Sequence, residues 1–151
     1  MNKNSLKIEF VNAEVLAAWC APMPVPDLQV GVKAGFPSPA EDLGAKRIDL
    51  SAKLVKHPQA TFLLRASGDS MVGAGVSDGD VLIVDKAIRP ANRHVVIAVV
   101  DGEFVCKTLS IRAGRMKLKA ANPCYPDIVP KDGQTVEVWG VVTYAIKAMP
   151  A

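Results

Sequence analysis

The chain has 151 residues, and half of them are hydrophobic, so it can bury the core of one compact domain with an appendage. Its 18 basic and 15 acidic residues are interspersed and leave a net charge of +3, which does not favour direct sequence-specific DNA binding, because such proteins concentrate cations on one face. No run approaches the roughly 20 apolar residues that cross a bilayer, and no signal-like segment is recognisable. We therefore expect a cytoplasmic protein that does not associate with membranes.

The cysteines argue against disulfide bonds and metal sites. Cys20, Cys106 and Cys124 are odd in number, far apart and without a Cys-x-x-Cys pair, which is typical of free thiols in a reducing compartment. We expect no metal and no cofactor. A catalytic cysteine with His57 or His94 as its base is a weaker alternative, since Cys106 alternates with a lysine in an apolar run and should face the core.

The first 34 residues differ in character from the rest. Leu6–Val11 alternates apolar and polar residues as an edge strand does, and Asn12 can cap a short helix that continues to Trp19. Prolines then alternate at positions 22, 24 and 26, which predicts an extended arm, because proline removes a backbone donor and fixes φ. A disordered tail is the alternative for this stretch.

The rest of the chain is predominantly strand-like. Residues 41–48 are polar and predict a connection, after which Asp49 is placed to cap a helix through Lys56 that ends before Pro58. The dipeptide Asp101-Gly102 predicts a tight hairpin. Runs rich in Val, Ile and Leu predict strands at Thr61–Arg65, Val81–Val84, Val95–Val100, Glu103–Leu109, Met116–Lys119 and Val136–Ile146. The last run is either a core strand or a subunit interface. The predicted fold is mainly β with short helices near the front.

A polar break at Ala66–Met71 lies between two of these strands and carries Ser70. Lys107 is a single cation within another apolar strand. A serine hydroxyl is a weak nucleophile until a base removes its proton, and a desolvated lysine can be that base. Ser67 and Ser77 lie nearby, and chemistry alone does not choose among the three hydroxyls. A serine in such a turn also commonly bonds its own backbone.

Lys107 must lose its charge to act as a base. An unperturbed lysine has a pKa of about 10.4, and burial can lower this value by about 3–5 units. Phe104, Val105 and Leu109 are suitable apolar neighbours, and we expect no carboxylate in contact with the amine, because an acid would favour the charged form. The alternative is a lysine whose stem crosses the sheet edge and whose amine reaches solvent.

Four motifs together resemble one known family. Ala66–Met71, Val76–Asp85 and Asp101–Lys107 look like the self-cleaving family of LexA and UmuD, and Ala34–Ala40 resembles the self-cleavage site of its UmuD and MucA branch. The matches occur in the family's order and span residues 30–148. This resemblance implies the S24 peptidase fold with an extended N-terminal arm, formed by residues 1–34, and a catalytic and dimerisation core, formed by residues 35–151.

The resemblance also assigns roles to residues. It selects Ser70 as the nucleophile of a serine peptidase and Lys107 as its base, with the backbone N–H groups of Asp69 and Ser70 as oxyanion donors. It places the scissile bond between Ala34 and Gly35, a sequence that would otherwise be only a loop. The chromosomal UmuD pattern has Cys before the scissile glycine, so Ala34 is a departure that LexA and plasmid relatives share.

The family further implies a role in SOS mutagenesis. Self-cleavage would be stimulated by the RecA filament on single-stranded DNA, and the trimmed homodimer would join a UmuC-like Y-family polymerase in error-prone translesion synthesis. Only 34 residues precede Gly35, too few for a repressor's helix-turn-helix domain and linker, which favours the UmuD-like branch. One alternative is a non-catalytic interaction module that acts uncut through its arm and dimer surface. Another, a signal-peptidase-like enzyme, is weakened by the missing membrane anchor.

Overall fold

The computed structural model describes residues 21–28 and 46–150. The predictions for Leu6–Val11, for the helix capped by Asn12 and for the Ala34–Gly35 bond lie outside the described residues. The division of the chain at residue 34 therefore stays a prediction.

Two short strands form a separate hairpin-like sheet. β1 (Pro24–Asp27) pairs antiparallel with β2 (Lys46–Asp49), so the proline-rich segment is extended as predicted. The prediction of a mere connection is wrong for Lys46–Ile48, which is strand. This segment becomes a strand because it pairs with β1. Pro24 and Pro26 have no backbone N–H, and since they are two residues apart, both nitrogens face the outer edge of β1, where the pairing needs no donor.

Helix α1 (Leu50–Leu54) follows β2 directly. The Asp49 side chain caps it by accepting from the backbone N–H groups of Ser51 and Ala52, as the sequence predicts. The helix ends two residues earlier than predicted, because Val55 is extended and its N–H closes the last turn on the Ser51 carbonyl.

The body of the molecule is one six-stranded antiparallel sheet with strand order β3-β4-β8-β5-β6-β7. Its strands are β3 (Thr61–Arg65), β4 (Val81–Asp85), β5 (Val95–Val100), β6 (Glu103–Arg112), β7 (Arg115–Lys119) and β8 (Val136–Ile146). The mainly β prediction is confirmed, and each strand predicted between Thr61 and Ile146 is present, with bounds extended by at most three residues. β8 is a central strand with neighbours on both edges.

The β5–β6 turn fixes the register that matters for Lys107. Asp101 and Gly102 have φ values of +49° and +81°, the two left-handed residues that a tight hairpin turn of this kind requires. Val96 consequently pairs with Lys107. A slip of one residue would turn the lysine to the opposite face of the sheet.

Buried apolar residues line both faces of β6. One cluster contains Cys106 with Leu64, Leu82, Val84, Ile97 and Met71, and the other contains Val105 and Leu109 with Val96, Ala98, Leu118 and Val141. Because alternate residues of a strand share a face, Lys107 lies on the face of Val105 and Leu109. The sheet therefore offers the lysine apolar surroundings on its own face.

A candidate Ser–Lys active site

The turn that carries Ser70 is attached to the turn before β4. The Ala66 N–H donates to the Asp80 carbonyl, and the Gly79 N–H donates to the Ala66 carbonyl, each at 2.8 Å. Gly68, with φ +93°, donates its N–H to Asp78 Oδ1 at 2.8 Å. The carboxylates of Asp78 and Asp80, on either side of Gly79, accept hydrogen bonds from the backbone N–H groups of Gly68 and Ser77. These bonds attach the start of the turn that carries Ser70 to the residues just before β4.

Lys107 reaches this turn from β6. Its side chain is fully buried, at 0% exposure, and its Nζ lies 3.0 Å from Ser70 Oγ. The structure thus brings together the two residues predicted as nucleophile and base, which are 37 positions apart in the sequence. Among the described residues, no carboxylate lies within ion-pair distance of this amine.

Burial sets the charge of the amine. Desolvation lowers the pKa of Lys107 from its ordinary value, and the opposing effects of Asp127 and of Cys106 in its thiolate form are smaller. Burial also raises the pKa of the Cys106 thiol to about 12, so this group is neutral near pH 7 and brings no charge to its neighbour. The same value argues against Cys106 as a catalytic thiolate.

Asp127 is engaged elsewhere. Its carboxylate pairs with Lys117 at 2.9 Å and accepts the Ala120 N–H at 3.1 Å. The Lys117 hydrogen bond is the main reason why the pKa of Asp127 is lowered. Its charge therefore acts on Lys107 only from a distance, and the lowered lysine pKa prevails.

A second serine and lysine lie close together nearby. Lys147 Nζ is 3.1 Å from Ser77 Oγ, but it also forms an ion pair with Asp80. The Lys147 side chain is 37% exposed. Lys147 therefore has a carboxylate partner and contact with solvent, whereas Lys107 is fully buried and has no such partner among the described residues. The surroundings of the two lysines thus favour Ser70 over Ser77 on physical grounds that the sequence lacks.

The segment after β7 holds the Ser70 turn from the other side. Asn122 Nδ2 donates to the Asp69 carbonyl at 2.9 Å, and Tyr125 Oη donates to Asp69 Oδ1. The Ala121 N–H donates to the Ser70 carbonyl at 2.9 Å. Sequence reasoning missed these residues, and no local signal could have found them, because Asn122 is 53 positions from Asp69.

The two histidine rings have hydrogen-bond partners other than the described cysteines. His57 Nδ1 lies 2.6 Å from Asp85 Oδ2, and His94 Nδ1 accepts the Ala91 N–H at 3.2 Å. Cys106 and Cys124 are free thiols. Within residues 21–28 and 46–150, no group of three or more potential metal ligands forms a site. None of the helices in these ranges is long and apolar enough to cross a membrane.

Comparison with known proteins identifies the family. Residues 27–143 match the Peptidase S24-like family. The chain is 44% identical to Protein SamA of Salmonella typhimurium, over 73% of this chain and 76% of SamA. It is 42% identical to Protein ImpA of Escherichia coli, over 76% of this chain and 77% of ImpA, and 38% identical to Protein MucA of Escherichia coli, over 79% and 82%. The resemblance drawn from the sequence is thereby confirmed, and the chain belongs to the S24 family of serine peptidases, among its UmuD- and MucA-like members.

Proposed function

We propose that the protein cleaves its own chain between Ala34 and Gly35, with Ser70 as the nucleophile and Lys107 as the general base. The contact of 3.0 Å between Lys107 Nζ and Ser70 Oγ carries this proposal. The amine is buried among apolar side chains, its pKa is lowered by desolvation, and the part of the chain that the structure describes holds no carboxylate against it. These are the conditions under which a lysine accepts a proton near neutral pH.

The chemistry proceeds through two steps. Ser70 Oγ attacks the Ala34 carbonyl carbon while its proton passes to Lys107 Nζ, and the oxyanion forms beside the backbone N–H groups of Asp69 and Ser70. The carbon–nitrogen bond then breaks, and Lys107 returns the proton to the leaving amine of Gly35. Water, deprotonated by the same lysine, then attacks the ester, the bond to Ser70 Oγ breaks as Lys107 returns the proton to that oxygen, and the Ala34 carboxylate is released. One chain completes one turnover.

The β1–β2 pair supports an intramolecular substrate. Residues 28–45, which contain the proposed scissile bond, connect Asp27 of β1 to its antiparallel neighbour Lys46 of β2. The arm is also held by Ser51 Oγ, which donates to the Ala21 carbonyl at 2.7 Å. A segment that is joined at both ends to the catalytic chain supplies its peptide bond at a high effective concentration.

The biological role that we propose rests on the UmuD- and MucA-like resemblance. The RecA filament on single-stranded DNA would stimulate cleavage by favouring the cleavage-competent state of the arm. The trimmed homodimer, in the cytoplasm, would act as an accessory subunit of a UmuC-like Y-family polymerase in error-prone lesion bypass. The identity to MucA over most of both chains supports this role.

Incubation of the purified chain with RecA, ATP and single-stranded DNA tests the proposal. We expect a fragment whose N-terminal residue is Gly35, identified by mass spectrometry, and we expect Ser70→Ala and Lys107→Ala to stay intact. Normal cutting by either variant would remove the dyad. A wild-type chain that stays intact while a control repressor is cut would instead favour the non-catalytic interaction module.

A further inference from the structure

The peptide group between Asp69 and Ser70 is held by a side chain from a distant segment. Asn122 Nδ2 donates to the Asp69 carbonyl at 2.9 Å, whereas the Val72 N–H approaches the same oxygen at only 3.4 Å. The Asn122 bond is the shorter of the two. The carbonyl that it holds belongs to the same planar unit as the Ser70 N–H.

Planarity makes this contact relevant to catalysis. In a trans peptide the C=O and N–H bonds point in opposite directions, so a donor that fixes the Asp69 carbonyl also fixes the direction of the Ser70 N–H. That N–H is one of the two groups proposed above to stabilise the oxyanion. Donors act in catalysis when they are already oriented before the charge develops, because no reorganisation is then needed during the reaction.

Asn122 is itself fixed in place. Its Oδ1 accepts the Cys124 N–H at 2.9 Å, so the amide oxygen is occupied and the amide nitrogen points to Asp69. The preceding residue, Ala121, bonds the Ser70 carbonyl at 2.9 Å and accepts the Gly73 N–H at 2.8 Å. Ala121 and Asn122 thus hydrogen-bond the peptide groups on both sides of Ser70.

We infer that Asn122 is a positioning residue for the oxyanion hole, acting through the Asp69–Ser70 peptide group. This inference rests on the proposed self-cleavage. The side-chain hydrogen bonds of Asn122 go to Asp69 and Cys124, and not to the nucleophile oxygen or the base, so it should affect the height of the barrier without altering the protonation of Lys107. Removal of one oxyanion donor typically lowers a rate by about 10²–10³-fold, and misorientation of a donor should have a smaller effect of about tenfold or more.

The test compares three variants of the full chain: Asn122→Ala, Asn122→Asp and Asn92→Ala. Asn92 is the matched control, because it is an exposed asparagine whose Oδ1 accepts the Ile111 N–H at 2.8 Å. We expect self-cleavage at alkaline pH to slow at least tenfold in Asn122→Ala, with the same pH of half-maximal rate, and to stay within twofold of wild type in Asn92→Ala. Asn122→Asp should be slower still, because it keeps the acceptor for the Cys124 N–H but turns a second acceptor toward the Asp69 carbonyl.

A purely structural role predicts the opposite order, since aspartate preserves the size of the side chain and its bond to Cys124. Cleavage of Asn122→Ala within twofold of wild type, or faster cleavage of Asn122→Asp than of Asn122→Ala, would overturn the inference. Labelling of Ser70 by a fluorophosphonate tests the role of Asn122 separately from the proposal of self-cleavage. In that reaction the Ser70 Oγ–P bond forms, the P–F bond breaks and Lys107 takes the proton, so no cleavage of the arm is needed. If the wild type is labelled but never cuts itself, the self-cleavage proposal fails, and the relative labelling rate of Asn122→Ala still decides the role of Asn122.

Discussion

In the part of the chain that the structure describes, Lys107 and Lys147 each lie beside a serine at almost the same distance, and their surroundings differ. Lys107 Nζ is 3.0 Å from Ser70 Oγ and its side chain is fully buried. Lys147 Nζ is 3.1 Å from Ser77 Oγ, pairs with the Asp80 carboxylate and is 37% exposed. Distance alone would make the two pairs equivalent.

The difference lies in what stabilises the charged amine. At Ser77 the amine pairs with a carboxylate and is exposed to solvent, two contacts that are typical of a surface lysine. At Ser70 the amine lies among apolar residues of β6 and its neighbours, and desolvation lowers its pKa. A short contact between a hydroxyl and an amine becomes chemically useful only where the protein makes the neutral amine accessible.

The largest effect is expected on the rate of self-cleavage, when Lys107 and Lys147 are each replaced. Lys107→Met preserves much of the side-chain volume but removes the base, and we expect self-cleavage to fall by about 10²–10⁴-fold, the usual contribution of a general base. Lys147→Met and Ser77→Ala should each cut within twofold of wild type. First-order rate constants from gel densitometry check this. Equal losses at the two lysines would show that burial does not distinguish the pairs.

The dependence of the self-cleavage rate on pH also tests whether Lys107 is the base. Since the pKa of Lys107 is lowered, its neutral fraction becomes substantial at a pH below the ordinary value of 10.5. Below the pKa in the folded state, the rate should rise about tenfold per pH unit and then level off, as expected for one deprotonated base. Lys147→Met should retain this profile. The measurement is a series of single-turnover rates from pH 6 to pH 10, and a flat profile would contradict the role of Lys107.

The strands could be predicted from the sequence because runs of branched apolar residues are a local signal. The Asp101-Gly102 pair is also local, and it predicted the turn that sets the β5–β6 register and the face on which Lys107 lies. The resemblance to a family, rather than spacing, joined Ser70 to Lys107. Contacts between distant segments had no comparable signal. Asn122 reaches Asp69 across 53 positions, and Lys147 reaches Ser77 across 70. The pairing of β2 was also missed, because Lys46–Ile48 is polar and becomes a strand only beside β1.

A third prediction concerns stability, and its sign follows from the lowered pKa of Lys107. Between the folded pKa and about 10.5, the unfolded chain binds more protons than the folded one, so the free energy of unfolding rises with pH in this window. At pH 7 the buried lysine therefore reduces stability. In a Ser70→Ala background, which prevents cutting, we expect Lys107→Met to raise the free energy of unfolding by about 1 kcal/mol or more, since each unit of pKa lowering corresponds to about 1.4 kcal/mol.

Urea unfolding at pH 7 and pH 10 measures this gain. The advantage of Lys107→Met should shrink toward pH 10, because the lysine of the reference chain is then neutral in the folded state and much less costly to bury. An advantage that grows with pH would show that the pKa of Lys107 is not lowered by folding.

The smallest effect is expected at the second pair. Lys147→Met leaves Asp80 with the Ser77 N–H, a bond of 2.8 Å, but removes its cation, and the Asp80 side chain is only 6% exposed. Because Lys147 itself is partly in solvent, the lost attraction is screened, and the free energy of unfolding should fall by about 1 kcal/mol or less at pH 7. Lys53→Met, at an exposed position of α1, is the control for removing a surface charge.

Unfolding in high salt is a second test of the same pair. Added ions weaken the Lys147–Asp80 attraction in the wild type, so the difference in free energy of unfolding between the wild type and Lys147→Met should become smaller. If Lys147→Met instead destabilised the protein by several kcal/mol, its pair with Asp80 would behave as a buried one, and exposure could no longer explain why only the amine beside Ser70 is suited to catalysis.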